Sequence, residues 1–387
     1  MARLIESAVD TPVTPPGTSV AHSTRLIGPD VTRAIALVGV IVMNYHGYLN
    51  GNDIRNNTFS DRLFNPWIGV LSTRFAATFV TVAGIGVTLM TRRSAASGDA
   101  TSVDADRWRL RRRGFLLFAC GYVLDWIWPG TILYFYGAYF IVGSFLFTLR
   151  TRWLVAAGTV SALLGAVITW WGFERTEDGH STAWLFSPAS TRSPRNLVFN
   201  TFVNGTHPLF PWLAFLCSGL VVGRLLPRMQ TLRLRIILIG VALVAAGYAV
   251  NAIVDRTTGA GVSTPARRWH LLVRTDPFNR QLLYVVTALG SSILAVTLIS
   301  SLAERFPTSA PIRILAGAGR MTLSIYVVHI VVFNEVVHQR HWVRRAGLDT
   351  ALVFAVCVWV AAVIIGWLWH RRFGLGPAER LYRNFGG

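Results

Sequence analysis

Asn44 and His46 close an apolar segment, VTRAIALVGVIVMNYHGYLN (31–50), whose other end carries Asp30 and Arg33. An imidazole that titrates near neutral pH suits general-base work, and an amide can donate a hydrogen bond to an oxygen gaining negative charge. In a regular helix Arg33 and Asn44 stand ~16 Å apart along the axis and return to nearly the same face. One stripe then presents a cation at one end and an amide at the other, with Asp30 favoured by the dipole at the helix start. His46 falls on roughly the opposite face and joins Asn44 in one site only where the helix loosens near Gly47. A plainer reading, an interfacial His and Tyr anchoring a helix end, stays open beside it.

Other polar residues interrupt apolar stretches further along. Arg74 lies in WIGVLSTRFAATFVTVAGIGVTLM, where a lipid-embedded guanidinium needs a partner or a wet cavity and so becomes a functional candidate. Asp61 precedes that segment, in TFSDRLFNPW. Asp125, Trp126 and Trp128 meet a Pro129-Gly130 break, and His207 sits before two prolines and Trp212 in NGTHPLFPWLAF. Pro at a first helical turn is ordinary initiation, so His207 reads equally as a cap neighbour or a ligand contact. GAGRMTLSIYVVHIVVFNE adds Arg320, Ser324, Tyr326 and His329, and a helix–helix hydrogen bond is the plain role for His329. No HExxH, GxSxG or Walker loop occurs, and the histidines show no helical metal-binding spacing, so no metal is expected.

The elements that must position these residues cross lipid. Of 387 residues, 52% are hydrophobic and only 14% charged, against roughly a quarter charged in soluble domains. About ten stretches approach the ~20 apolar residues of a membrane helix: near 30–49, 67–90, 114–128, 132–149, 153–173, 207–226, 234–254, 281–302, 315–336 and 350–370. The expected fold is an all-α polytopic transmembrane bundle over 28–373, with a mobile Pro/Thr/Ser-rich tail at 1–27 and a short tail at 374–387. The arginine-rich TRRSAASGDATSVDADRWRLRRR places the loop after the second span, and both termini, in the cytoplasm; only HQRHWVRRAGLD disagrees with that count. Topology therefore accounts for the formal charge of +19, and no nucleic-acid partner is expected. Cys120, Cys217 and Cys357 lie in apolar segments without paired spacing and read as small buried hydrophobes.

Several stretches, in this order, carry a resemblance: GPDVTRAIALVGVIVMNYHG, RFAATFVTVAGIGVTLM, WPGTILYFYGAYFIVG, HPLFPWLAFLCSGLVVGRLL, GRMTLSIYVVHIVVF and GPAERLYR. Together they resemble the bacterial relatives of heparan-alpha-glucosaminide N-acetyltransferase, including the YeiB-like membrane proteins. The resemblance runs from about residue 28 to 383. It implies a transmembrane acyltransferase in the cytoplasmic membrane, bacterial in type, that takes an acyl group from cytosolic acyl-CoA and delivers it to an extracytoplasmic sugar or glycolipid. It also implies that Asn44 is the asparagine near the active site. The loop that holds the family's catalytic histidine has none here, leaving His46 as the nearest substitute, and Asp61 loosely matches a functional aspartate. GPAERLYR has alanine and arginine where relatives commonly show leucine and tryptophan.

On that reading Arg33, Arg112 and Arg320 hold the coenzyme A phosphates. His46, or failing it His207 or His329, is the base, and Asn44 faces the oxyanion. Tyr48 and Trp212 stack on a sugar, and Arg74, His207 and His329 help bind it. The competing class is a transporter or flippase for a lipid-linked or amphipathic solute, built from the same buried arginines and interrupted helices. A non-catalytic scaffold is third, and a homodimer is compatible with all three.

Overall fold

The computed structural model describes residues 26–50, 59–65, 69–186, 190–257, 272–276, 280–344 and 348–387. The N-terminal tail expectation thus falls almost wholly outside the described residues. Among the described residues there is no strand. The helices are α1 (Gly28–Asn50), α2 (Phe59–Phe64), α3 (Arg74–Ser97), α4 (Ala100–Asp125), α5 (Leu133–Leu146), α6 (Thr151–Glu177), α7 (Ala183–Phe186) and α8 (Pro194–Phe199). They continue as α9 (Leu209–Leu225), α10 (Met229–Thr257), α11 (Leu282–Arg305), α12 (Ala310–Gly319), α13 (Thr322–Phe333), α14 (Leu348–Phe373) and α15 (Pro377–Gly386).

Each of the ten expected apolar segments coincides with a helix, the ninth with the pair α12 and α13. Among the described residues, five helices are long and apolar enough to cross a bilayer, with Leu209–Thr257 counted as one, and the pair bent by 82° makes a sixth. Val160, Val167, Val241 and Ile365 turn outward from them, as lipid contact requires. The protein is an integral membrane protein. Two boundaries differ from expectation. α3 starts at Arg74 rather than near 67, because Thr73 adopts a left-handed φ of 60°. The arginine-rich stretch is helical rather than a loop: Gly98, at φ 68°, ends α3, and the Asp99 side chain caps α4 by accepting from the Ser102 N–H. Cys217 is buried as expected, whereas Cys120 and Cys357 face outward, since they sit on the lipid side of their helices.

Close approach of backbones sets the core. A Cβ on Gly84 would stand 2.3 Å from the Leu216 carbonyl oxygen, and one on Gly219 would stand 2.0 Å from that of Thr81. α3 and α9 therefore touch main chain to main chain, the small-residue contact expected between membrane helices. α14 packs on α1, and the Trp359 Nε1–H donates to the Ala34 carbonyl at 3.0 Å. The last residues fold into α15, which lies against α4. Its Glu379 carboxylate accepts from the Leu323 N–H at 2.7 Å and the Ser324 N–H at 3.0 Å. Those two groups are among the unpaired donors at the start of α13, so α15 caps the broken helix.

Candidate functional site

A cavity of about 250 Å³ opens at one end of the bundle. Gly39, Val40, Met43, Asn44 and Gly47 of α1 form one wall, and Phe75 and Ala76 of α3 form another. These α1 positions recur at helical spacing along one stripe. The remaining walls come from breaks between helices: Pro129 and Gly130 after α4, Thr206 and His207 before α9, and Tyr326 of α13.

Buried polar groups hold those breaks in place. Asp125 accepts from the Gly130 N–H at 2.9 Å and from the Thr191 hydroxyl at 2.8 Å, and Gly130 turns the chain at φ 84°. The Tyr326 hydroxyl lies 2.9 Å from that of Thr131 and accepts from the Ile132 N–H at 3.2 Å. On the opposite wall the Arg280 Nη2 donates to the Asn204 and Gly205 carbonyls at 2.7 and 2.8 Å. The Tyr139 hydroxyl donates to the His207 carbonyl at 2.5 Å.

Two chemically active side chains share this space. His207 is half-buried, its Nδ1 lies 2.9 Å from the Thr206 hydroxyl, and its ring meets Trp212 edge-on at 4.5 Å. Burial, and then the Arg280 guanidinium, hold His207 below the ordinary imidazole range, so it is neutral at pH 7. Asn44 is oriented from behind. Its Nδ2 lies 3.1 Å from His329 Nε2, a contact between residues 285 apart in the chain. His329 Nδ1 faces the Tyr326 carbonyl, which can only accept, so the proton sits on Nδ1 and Nε2 accepts from the amide. The Tyr45 hydroxyl donates to the His329 carbonyl at 2.7 Å, and the two rings stack. One Asn44 N–H is thereby used, while Oδ1 and the second N–H remain for the cavity.

The other expected residues lie elsewhere. His46 is 2% exposed and does not line the cavity, because α1 stays helical through Gly47. Trp212 is buried behind His207, whereas Tyr48 lines the cavity. Arg74 lies between α3, α10 and α11, where its Nη2 donates to the Thr275 carbonyl at 3.0 Å and the Thr287 hydroxyl at 3.2 Å. Its guanidinium covers the Tyr284 ring at 4.9 Å. Asp61 belongs to α2, and its side chain is outside the described residues. At the far end of the bundle Arg33 and Arg320 converge on Asp30, each at 3.4 Å, and Arg320 Nη1 lies 2.9 Å from His370 Nε2. Arg112 lies over the Phe385 ring of α15 at 5.4 Å. Among the described residues no group of three His, Cys, Asp or Glu side chains gathers as metal ligands do.

Ser72, Thr73 and Thr206 are wall residues, and Arg280 and Glu379 braces, that no motif in the sequence marks. Arg280 and Glu379 carried a signal, a charge beside a helix break; the small hydroxyls carried none.

A family model described as heparan-alpha-glucosaminide N-acetyltransferase, catalytic, matches residues 25–250. A second, described as Protein of unknown function (DUF418), matches residues 228–386. Asn44 and His207 fall in the first match and Tyr326 and His329 in the second, so the cavity is assembled from both. No curated protein matches the chain.

Proposed function

Since the chain belongs to the family described as heparan-alpha-glucosaminide N-acetyltransferase, catalytic, we propose that it is a membrane-embedded acyltransferase. It moves an acyl group, acetyl first, from acyl-CoA on the Asp30 side to a sugar or other cell-envelope acceptor on the Asn44 side. The observation that carries this reading is the cavity that seats Asn44 and His207 together. All ten helical segments then cross the plasma membrane, and the arginines around Asp30 put that end, with both termini, in the cytoplasm.

Acyl-CoA supplies the acyl group as a thioester. The residues present fit such a ligand on two counts. Arg33 and Arg320 have side chains 25% and 29% exposed beside Asp30, open to phosphates. Between them and the cavity the Tyr136 hydroxyl is buried without a partner. His207, neutral and at the cavity wall, accepts the proton of the acceptor hydroxyl or amine. Asn44, pinned by His329, offers its second N–H to the carbonyl oxygen as charge develops there. His46 has no part in this arrangement, and His207 takes the base role.

The test is thermal unfolding of the purified protein with acetyl-CoA and, separately, with candidate acceptors. Stabilisation by acetyl-CoA is expected; stabilisation by a glycolipid alone, with none from any acyl-CoA, would favour transport instead.

A further inference from the structure

On the side facing Arg33 the cavity is backed by a layer of aromatic rings. Ile132, which caps α5, and Phe75 of α3 line the cavity, and Tyr136 and Phe79 stand four residues further along those helices, toward the Arg33 end. Their rings meet edge-on at 5.7 Å, and Tyr136 also meets Tyr139 at 5.8 Å. Tyr136 is within electrostatic reach of both Arg33 and the cavity residue Tyr326. The Arg33 guanidinium lies further along α3, near Gly86.

Tyr136 is 6% exposed, and its hydroxyl has no hydrogen-bond partner. Leaving a buried hydroxyl unpaired costs stability that phenylalanine would not forfeit, so the oxygen contributes nothing to the ligand-free fold. What would complete it must come between Arg33 and Asn44, which lie ~16 Å apart along α1. A ligand held by its anion at Arg33 and reacting at Asn44 needs a narrow linker with polar groups along it.

We propose that the Tyr136 hydroxyl binds an amide of the pantetheine arm of the acyl donor where that arm crosses the aromatic layer. The inference rests on the acyltransferase reading and adds to it a donor-binding residue specific for the arm. The test uses full-length protein in detergent, wild type and Tyr136→Phe, with two probes: acetyl-CoA, and adenosine 3′,5′-bisphosphate, which has phosphates but no arm. Tyr136→Phe is expected to weaken acetyl-CoA about fivefold to tenfold. Binding of the bisphosphate should stay within about twofold, and the ligand-free Tm should not fall. Unchanged acetyl-CoA affinity, equal loss of both probes, or a lower ligand-free Tm would each overturn the role assigned to Tyr136. Failure of the wild type to bind acetyl-CoA would overturn the donor reading and this inference together, whereas wild-type binding with an unaffected variant removes the inference alone.

Discussion

The two ends of the bundle treat polar groups in opposite ways. Around Asn44, side chains are braced from behind and leave hydrogen-bonding capacity unspent: Asn44 keeps Oδ1 and one N–H, and one nitrogen of His207 stays clear of the Thr206 hydroxyl. Around Asp30, charge is already spent within the protein, since Arg33 and Arg320 share one carboxylate and Glu379 fills the start of α13. On the proposed function the first end is preorganised for chemistry, and the second must exchange internal partners for those of a ligand. Preorganised donors cost nothing to align when charge develops. Exchangeable pairs suit a site that must release what it binds.

This contrast can be broken by substitution. His207→Gln and Asn44→Ala should each lower acyl transfer by about 10²–10³-fold while donor binding persists, as measured by initial rates against titrations of acetyl-CoA. His46→Gln should leave the rate nearly untouched. At the other end, Arg33→Gln with Arg320→Gln should weaken acetyl-CoA by about tenfold or more, and turnover at saturating donor should survive. A large fall in turnover instead would mean the two ends are not separate. Glu379→Gln removes a charged cap from α13 and should cost about 1–2 kcal/mol, seen as a lower Tm with the cavity residues intact.

The smallest effect concerns pH. His207 has a folded-state affinity for protons below that of the unfolded chain. Its contribution is therefore fully present above the ordinary imidazole range and is lost as pH falls below it, while the unfolded chain takes up the proton. Tm should fall on acidification from pH 7 to 5, and His207→Gln should make that slope shallower.

Much of the scaffold was legible because its signals are local. Apolar runs marked every long helix, and helical spacing alone put Arg33 and Asn44 on one face while sending His46 to another. The resemblance to the family, read from ordered motifs, also holds. What sequence could not supply was which loop meets which helix. His207 lines the same cavity as Asn44 from a loop that Arg280 and Tyr139 hold before α9, and His329 reaches Asn44 from 285 residues away. The extent of α4 was missed for a different reason: Arg107 to Arg113 look like a loop by charge, yet Asp99 caps a helix that runs through them. Arg74 has the partners that a buried guanidinium needs. Its guanidinium bonds hydroxyls, a carbonyl and a ring face outside the cavity lining.

The central claim is that the Asn44 cavity joins a donor at one membrane face to an acceptor at the other. Proteoliposomes loaded with a glucosaminide test it most directly, with radiolabelled acetyl-CoA supplied only on the Arg33 face. Wild-type protein should label the enclosed sugar, and Asn44→Ala, still binding acetyl-CoA, should not. Equal labelling by Asn44→Ala, or labelling only when donor and sugar share one face, would contradict the account.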